Sequence, residues 1–230
     1  SIWGLLIVLF IAMVVVSQFM LTFGSDPNAK VTKKSKSPLS FHPIALIFGL
    51  LSFVSYLVEG AVGDWSALYL FEDKGIVIEE AVMGVMLFNG TMCIGRLLGN
   101  RLGKHLTSKQ VVVGGYLLGS IAMGLIVFLP GHASMYTYLL LGISLAMIVP
   151  NLFSAMGEQN VIPMTQAVAT STMLGYMGIL MGPALIGFIA HGTSLTVAFI
   201  VLTTLLVVSA GIGKYAYHLM SKDCGLSAEE

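Results

Sequence analysis

Charge is scarce in this sequence. Only 10% of its 230 residues are Asp, Glu, Lys or Arg, while 57% are hydrophobic. A soluble domain carries roughly 25% charged residues. With a mean hydropathy of +0.92, the chain reads as a polytopic membrane protein. Eleven bases balance eleven acids, so net charge points to no partner, and no nucleic-acid partner is expected. Cysteine is nearly absent too: Cys93 and Cys224 cannot make a disulfide framework. Cys93 is expected to be a small packed thiol and Cys224 a free tail thiol. No CxxC, HExxH, Walker loop or Rossmann fingerprint occurs. The histidines (His42, His105, His132, His191 and His218) lie at expected helix ends or loops without metal spacing. Neither metal nor cofactor is expected, nor enzymatic activity. The first apolar run lacks a basic flank, which argues against a signal peptide.

Long apolar runs are abundant. Seven have the length and hydropathy of membrane helices: 2–23, 43–70, 81–99, 110–129, 134–156, 165–190 and 194–217. Residues 24–40, GSDPNAKVTKKSKSPLS, form the one long polar linker. It suits contact with anionic lipid, or more simply a solvated connection between domains. The expected order is a transmembrane helix (1–23), a cytoplasmic basic linker (24–40), a six-helix unit (41–218) and a cytoplasmic tail (219–230). Ten of the eleven bases fall on alternate connections, and Lys74 alone falls on the others. The positive-inside rule then puts those ten, and the C-terminus, in the cytoplasm.

The run after Phe41 carries a carboxylate within it, Glu59, and a second acid, Asp64, beside Trp65. An ionisable group at membrane depth is costly and is a functional suspect. Ser52, Ser55, Tyr56, Glu59, Gly63 and Ser66 recur at helical spacing and are expected on one face. Counting from the run's start places Glu59 in the outer third of the membrane or at its edge. There it serves as an interfacial acid or, the favoured reading, as a functional acid facing a cavity. Trp65 and Tyr69 look like an aromatic belt, with Asp64 structural or interfacial.

Two motifs follow. A turn rich in glycine and base, Gly95-Arg96-Leu97-Leu98-Gly99-Asn100-Arg101-Leu102-Gly103-Lys104, suits a tight hairpin. Further on, Gly175-Tyr176-Met177-Gly178-Ile179-Leu180-Met181-Gly182-Pro183 combines a small-residue face with a proline that removes a helical hydrogen bond. Together they make the six-helix unit resemble the C-terminal half of a major facilitator superfamily (MFS) transporter. Arg101, Gly103 and Lys104 match the family's signature loop, with Asn100 where the family has Asp, which weakens a charge-relay role. Gly178, Gly182 and Pro183 resemble its GxxxGP motif. Residues 59–70 and 150–155 are similar to the seventh and tenth helices of the YbjJ-like bacterial inner-membrane branch.

That resemblance implies an all-α, alternating-access carrier in the bacterial inner membrane, whose first helix here is the sixth of twelve. Its partners would be lipid, a small-molecule substrate and an N-terminal transporter half. The function expected is secondary-active transport of a small polar solute, sugar-like or another metabolite, with Glu59 the candidate for proton coupling. Efflux of drugs or metabolites, or a non-transporting scaffold or sensor, are the alternatives. Candidate substrate or proton contacts are Glu59, Tyr56, Asn89, Asn151 and Tyr176. For the tyrosines core packing competes with ring stacking, and for the asparagines an interhelical bond competes with ligand contact. Asp64, Arg96, Arg101, Gly103, Lys104, Gly178, Gly182 and Pro183 are assigned to gating or structural motifs, with Arg96 expected at a cytoplasmic gate or among lipid phosphates.

Overall fold

Proline and glycine punctuate the helices in the structure. The structure is a computed structural model; it describes residues 42–102, 106–159 and 162–223, with backbone alone at 100–102 and 222–223. All lie in the unit Ser37–Glu230. Helix α1 spans Pro43–Glu72, with Pro43 in its first turn and the His42 ring accepting from the Ile44 N–H at 3.4 Å. Proline suits that turn because its N–H would have no helical partner there. Helix α2, Ile78–Leu102, opens with Glu79 and Glu80, whose charge complements the positive end of the helix dipole. Helix α3, Ser108–Phe128, begins with a capping box in which Thr107 accepts from the Gln110 N–H at 3.3 Å and donates its own N–H to the Gln110 side chain at 3.0 Å.

The run expected at 134–156 is not one helix. It forms α4 (Gly131–Tyr136), α5 (Tyr138–Ala146) and α6 (Ile148–Glu158). Pro150 explains the second break: it cannot donate to the carbonyl of Ala146 and its ring crowds that turn, so the chain restarts with Pro150 in the first turn of α6. Helix α7 spans Met164–Gly192 with Pro183 inside it, and α8 spans Leu195–Asp223, past the expected boundary at 218. With 131–158 taken as one segment, six helical segments among the described residues are long and apolar enough to cross a membrane. The segment 1–23, the linker 24–40 and the tail beyond Asp223 lie outside the described residues.

Helix α1 is the central element: it packs most extensively on α7 and also meets α2 and α8, while α3 packs on α8 and α5, and α2 on α5. In lipid, burying leucine from its surroundings gains little, so helix association rests on close packing and on hydrogen bonds. The α1–α7 seam provides the packing. A Cβ at Gly178 would collide with the Phe53 carbonyl, and one at Gly182 with the Leu57 carbonyl. Tyr116 on α3 provides a hydrogen bond: its buried hydroxyl donates to the Leu51 carbonyl at 2.7 Å and accepts from Ser55 at 2.7 Å.

The polar stripe expected on α1 therefore divides. Ser52, Ser55 and Ser66 are buried in the bundle, whereas Tyr56 and Glu59 are partly exposed and Gly63 is exposed. Tyr69 is not in an aromatic belt; it is wholly buried, its ring stacked on Phe199 at 4.2 Å. Cys93, expected to be packed, is exposed.

Candidate functional site

Glu59 lies sixteen residues past Pro43 and thirteen before Glu72, about 24 and 20 Å along the axis at 1.5 Å per residue. It is thus midway along α1 rather than near an end. Arg96, expected at a cytoplasmic gate or among lipid phosphates, lies inside α2, eighteen residues past Ile78, about 27 Å along the axis from the turn end, against about 20 Å for Glu59. The Nη2 of Arg96 meets both carboxylate oxygens of Glu59, at 3.1 and 3.3 Å. The approach follows from helix direction. Side chains lean toward the N-terminus of their own helix, and α1 and α2, joined by a short turn, run in opposite senses. Glu59 and Arg96 therefore lean toward one another.

Tyr56 sits one turn from Glu59, and its ring lies parallel to that of Tyr176 on α7, with centroids 6.3 Å apart at 6°. Gly175 makes this possible, since a Cβ there would lie 2.6 Å from the Tyr56 ring. Tyr56 is electrostatically coupled to Glu59, Arg96 and Tyr176 together. An acid, a guanidinium and two phenols thus form one cluster drawn from α1, α2 and α7. The side chains of Glu59 and Arg96 are 22% and 44% exposed, so the cluster is accessible from one face of the unit. It offers a charge of each sign, hydroxyl donors and flat ring surface.

The other sequence candidates lie elsewhere. Asn89 is two turns from Arg96 on α2 and donates to the Val85 carbonyl of its own helix at 3.0 Å. Asn151 likewise donates to Met147 at 2.8 Å. Asp64 is exposed on α1. Gly178, Gly182 and Pro183 form the seam with α1. The Arg101 side chain, and all of Gly103 and Lys104, lie outside the described residues. No group of three His, Cys, Asp or Glu side chains with metal-binding geometry occurs among the described residues.

Sequence reasoning missed the Glu59–Arg96 pair because it assigned the two residues to opposite sides of the membrane. Counting back and forward from the turn at 73–77 carries the missing signal: Glu59 lies thirteen residues before Glu72 and Arg96 eighteen after Ile78, an offset of about 7 Å that the opposed lean of two long side chains spans. That turn is itself tied down. Thr196 donates to Asp73 at 2.6 Å, which sets a carboxylate at the N-terminus of α8. Lys74 donates to the Val127 carbonyl at 2.6 Å, in the last turn of α3, and lies 5.3 Å from the centre of the Tyr69 ring. Burial pushes the Lys74 ammonium below its usual range, and Asp73 partly offsets this. A cleft of about 520 Å³ beside this turn, lined by Trp65, Glu72, Asp73 and His191 among others, does not include the Glu59 cluster.

No family model matches the chain. Among curated proteins, it is 42% identical over 157 residues to an uncharacterised MFS-type transporter of Yersinia pestis, covering 67% of this chain and 40% of that protein. It is 30% identical over 170 residues to the membrane protein MosC of Rhizobium meliloti, covering 73% and 42%. In fold it is similar to the fucose:proton symporter FucP of E. coli, with a TM-score of 0.66, 16% identity and coverage of 75% of this chain and 42% of that one. The chain therefore has the fold of one half of an MFS transporter, an all-α membrane architecture. It spans about two fifths of the length of the relatives it matches, which are transporters or membrane proteins rather than enzymes by name.

Proposed function

We propose that this chain is the C-terminal half of a secondary-active carrier of the YbjJ-like branch. In the whole protein it moves a small polar solute, sugar-like or another metabolite, by alternating access against an N-terminal half. Residues 1–23 are then the last helix of that first half and 24–40 the cytoplasmic linker. The carrier lies in the bacterial inner membrane with its C-terminus in the cytoplasm. The observation that carries the reading is the Glu59–Arg96 pair, flanked by Tyr56 and Tyr176, partly exposed at mid-helix depth. A scaffold has no need of such a costly pair on an accessible face.

In this mechanism Glu59 exchanges partners. With Arg96 bound, the carboxylate is neutralised and its oxygens are satisfied. A proton or a substrate hydroxyl displaces the guanidinium, which then turns to the solute while the tyrosine rings support its flat face. That the fold neighbour is by title a proton symporter of fucose supports the same choice of solute and coupling ion. The test is uptake by the whole carrier in proteoliposomes across a pH gradient. Glu59→Gln is expected to abolish gradient-driven accumulation while leaving solute exchange measurable. Unchanged accumulation and unchanged pH dependence would end the proton role. Efflux of drugs or metabolites is the second reading, and accumulation in inverted rather than upright vesicles would favour it.

A further inference from the structure

Helices α3 and α8 leave a groove of about 260 Å³ between them, away from the Glu59 cluster. On the α3 side a glycine makes room: a Cβ at Gly124 would come no closer than 4.0 Å to the Thr203 methyl. On the α8 side Ile200, Thr203, Thr204 and Val207 line it, a stripe at spacings of three and four. The two threonines keep their hydroxyls on their own helix, Thr203 donating to the Phe199 carbonyl and Thr204 to that of Ile200, each at 2.9 Å. They leave methyls and backbone-bound oxygens for the groove. Phe128, at the end of α3, stands beside it 83% exposed. Both helices are long and apolar enough to cross a membrane, so the groove opens to hydrocarbon and suits an apolar chain.

The turn after α1 sets one charge on each wall at the end of this groove. Lys74 donates to the Val127 carbonyl at 2.6 Å, and Val127 itself lines the groove. Asp73 accepts from Thr196 at 2.6 Å, and Thr196 lies one turn before Ile200 on the same face of α8. Neither charge is used up. An ammonium has three N–H donors and a carboxylate two acceptor oxygens, and each has one taken by these contacts. A cation on the α3 wall and an anion on the α8 wall match a head group that carries both signs. A head group with a net negative charge is matched less well, because Glu72, Glu79 and Glu80 flank the same turn and repel it.

We propose that the groove between α3 and α8 holds an acyl chain of a phospholipid of the phosphatidylethanolamine type, with its phosphate on Lys74 and its ammonium on Asp73. The site selects by the amine. A choline head group has no N–H to donate to the carboxylate, and a glycerol head group has no cation to meet it. The bound lipid adds a clamp between α3 and α8 at the end where Asp73 and Lys74 already fasten them.

Native mass spectrometry of the whole carrier tests this, after equilibration with an equimolar mixture of phosphatidylethanolamine, phosphatidylcholine and phosphatidylglycerol and stripping in detergent. One phosphatidylethanolamine is expected to stay bound, several-fold in excess of either other lipid. Thr204→Phe fills the groove from an exposed position and is expected to cut that retention several-fold, as is Lys74→Met. Asp73→Asn can still accept from Thr196 but has no charge, so phosphatidylglycerol should then be retained as well as phosphatidylethanolamine. Equal retention of the three lipids by the parent overturns the site, and so does the absence of any retained lipid, the result if another segment of the protein fills the groove. Retention unchanged in Thr204→Phe also overturns it, because the lipid then sits elsewhere.

Discussion

The indole N–H of Trp65 on α1 donates to the carbonyl of Pro183 on α7 across 2.9 Å. Pro183, inside α7, has no N–H to offer the carbonyl of Ile179. That freed carbonyl comes close to Gly60, where a Cβ would lie 2.8 Å from it. The Trp65 ring also rests against Gly187, one turn beyond the proline. Helix α1 thus braces α7 on both sides of the proline.

Trp65→Phe keeps most of the ring but loses the hydrogen bond. A net loss of about 1 kcal/mol is expected, read as a lower melting temperature in detergent. Trp65→Ala loses the ring as well and should fall further, by about 3 kcal/mol or more. Equal melting temperatures for Trp65→Phe and the parent would mean that the brace contributes nothing.

The seam predicts a sharp contrast among glycines. Gly182→Val forces branched carbons onto the Leu57 carbonyl, and backbone cannot yield as a side chain can. A loss of about 3 kcal/mol or more, or failure to fold, is expected. Gly63→Ala, also on α1, meets nothing within 4 Å and should be tolerated. Fluorescence-detected size exclusion of the two variants separates these outcomes.

For the ion pair, the order of effects matters more than any one value. Arg96→Gln leaves the Glu59 carboxylate without its counter-charge at mid-helix depth. The double variant Glu59→Gln/Arg96→Gln removes both charges. Removing one partner of a desolvated pair destabilises more than removing both, so the double variant should melt above Arg96→Gln. The partial exposure of both side chains shrinks the gap through solvent screening. A double variant less stable than Arg96→Gln contradicts the pairing.

Lys74 sets a pH dependence at the bundle end. Its folded pKa lies below the unfolded value of 10.5, so between the two the unfolded chain binds more protons. Stability therefore rises with pH through that alkaline window and levels off above 10.5. Lys74→Met should flatten the rise. A parent melting curve already flat across the window would contradict the burial of the ammonium.

The sequence made the helices legible because a membrane demands a long apolar run for each crossing. The runs expected at 43–70, 165–190 and 194–217 each correspond to one long helix. It was silent where a polar atom chooses its partner. Nothing in the spacing of Ser55 and Glu59 says that one turns into the bundle toward Tyr116 while the other turns out toward Arg96. Tyr69 looked like an interfacial aromatic because it follows Trp65, but burial depends on which helix lies opposite, here α8 with Phe199. The break at Met147 was readable from Pro150, whereas the restart at Thr137 has no comparable signal. In the candidate site, Glu59, Tyr56 and Tyr176 were nameable as chemical types; their meeting with Arg96 needed the hairpin register.

Adjacent residues Asp73 and Lys74 bind the start of one helix and the finish of another. For anyone building reporters into this protein, that has a practical consequence. The short turn between α1 and α2, which looks like an obvious place for an epitope tag or a fluorescent insertion, acts as a knot joining four helices. Lengthening it would pull the acid from α8 and the base from α3 at once, so labels belong on other connections.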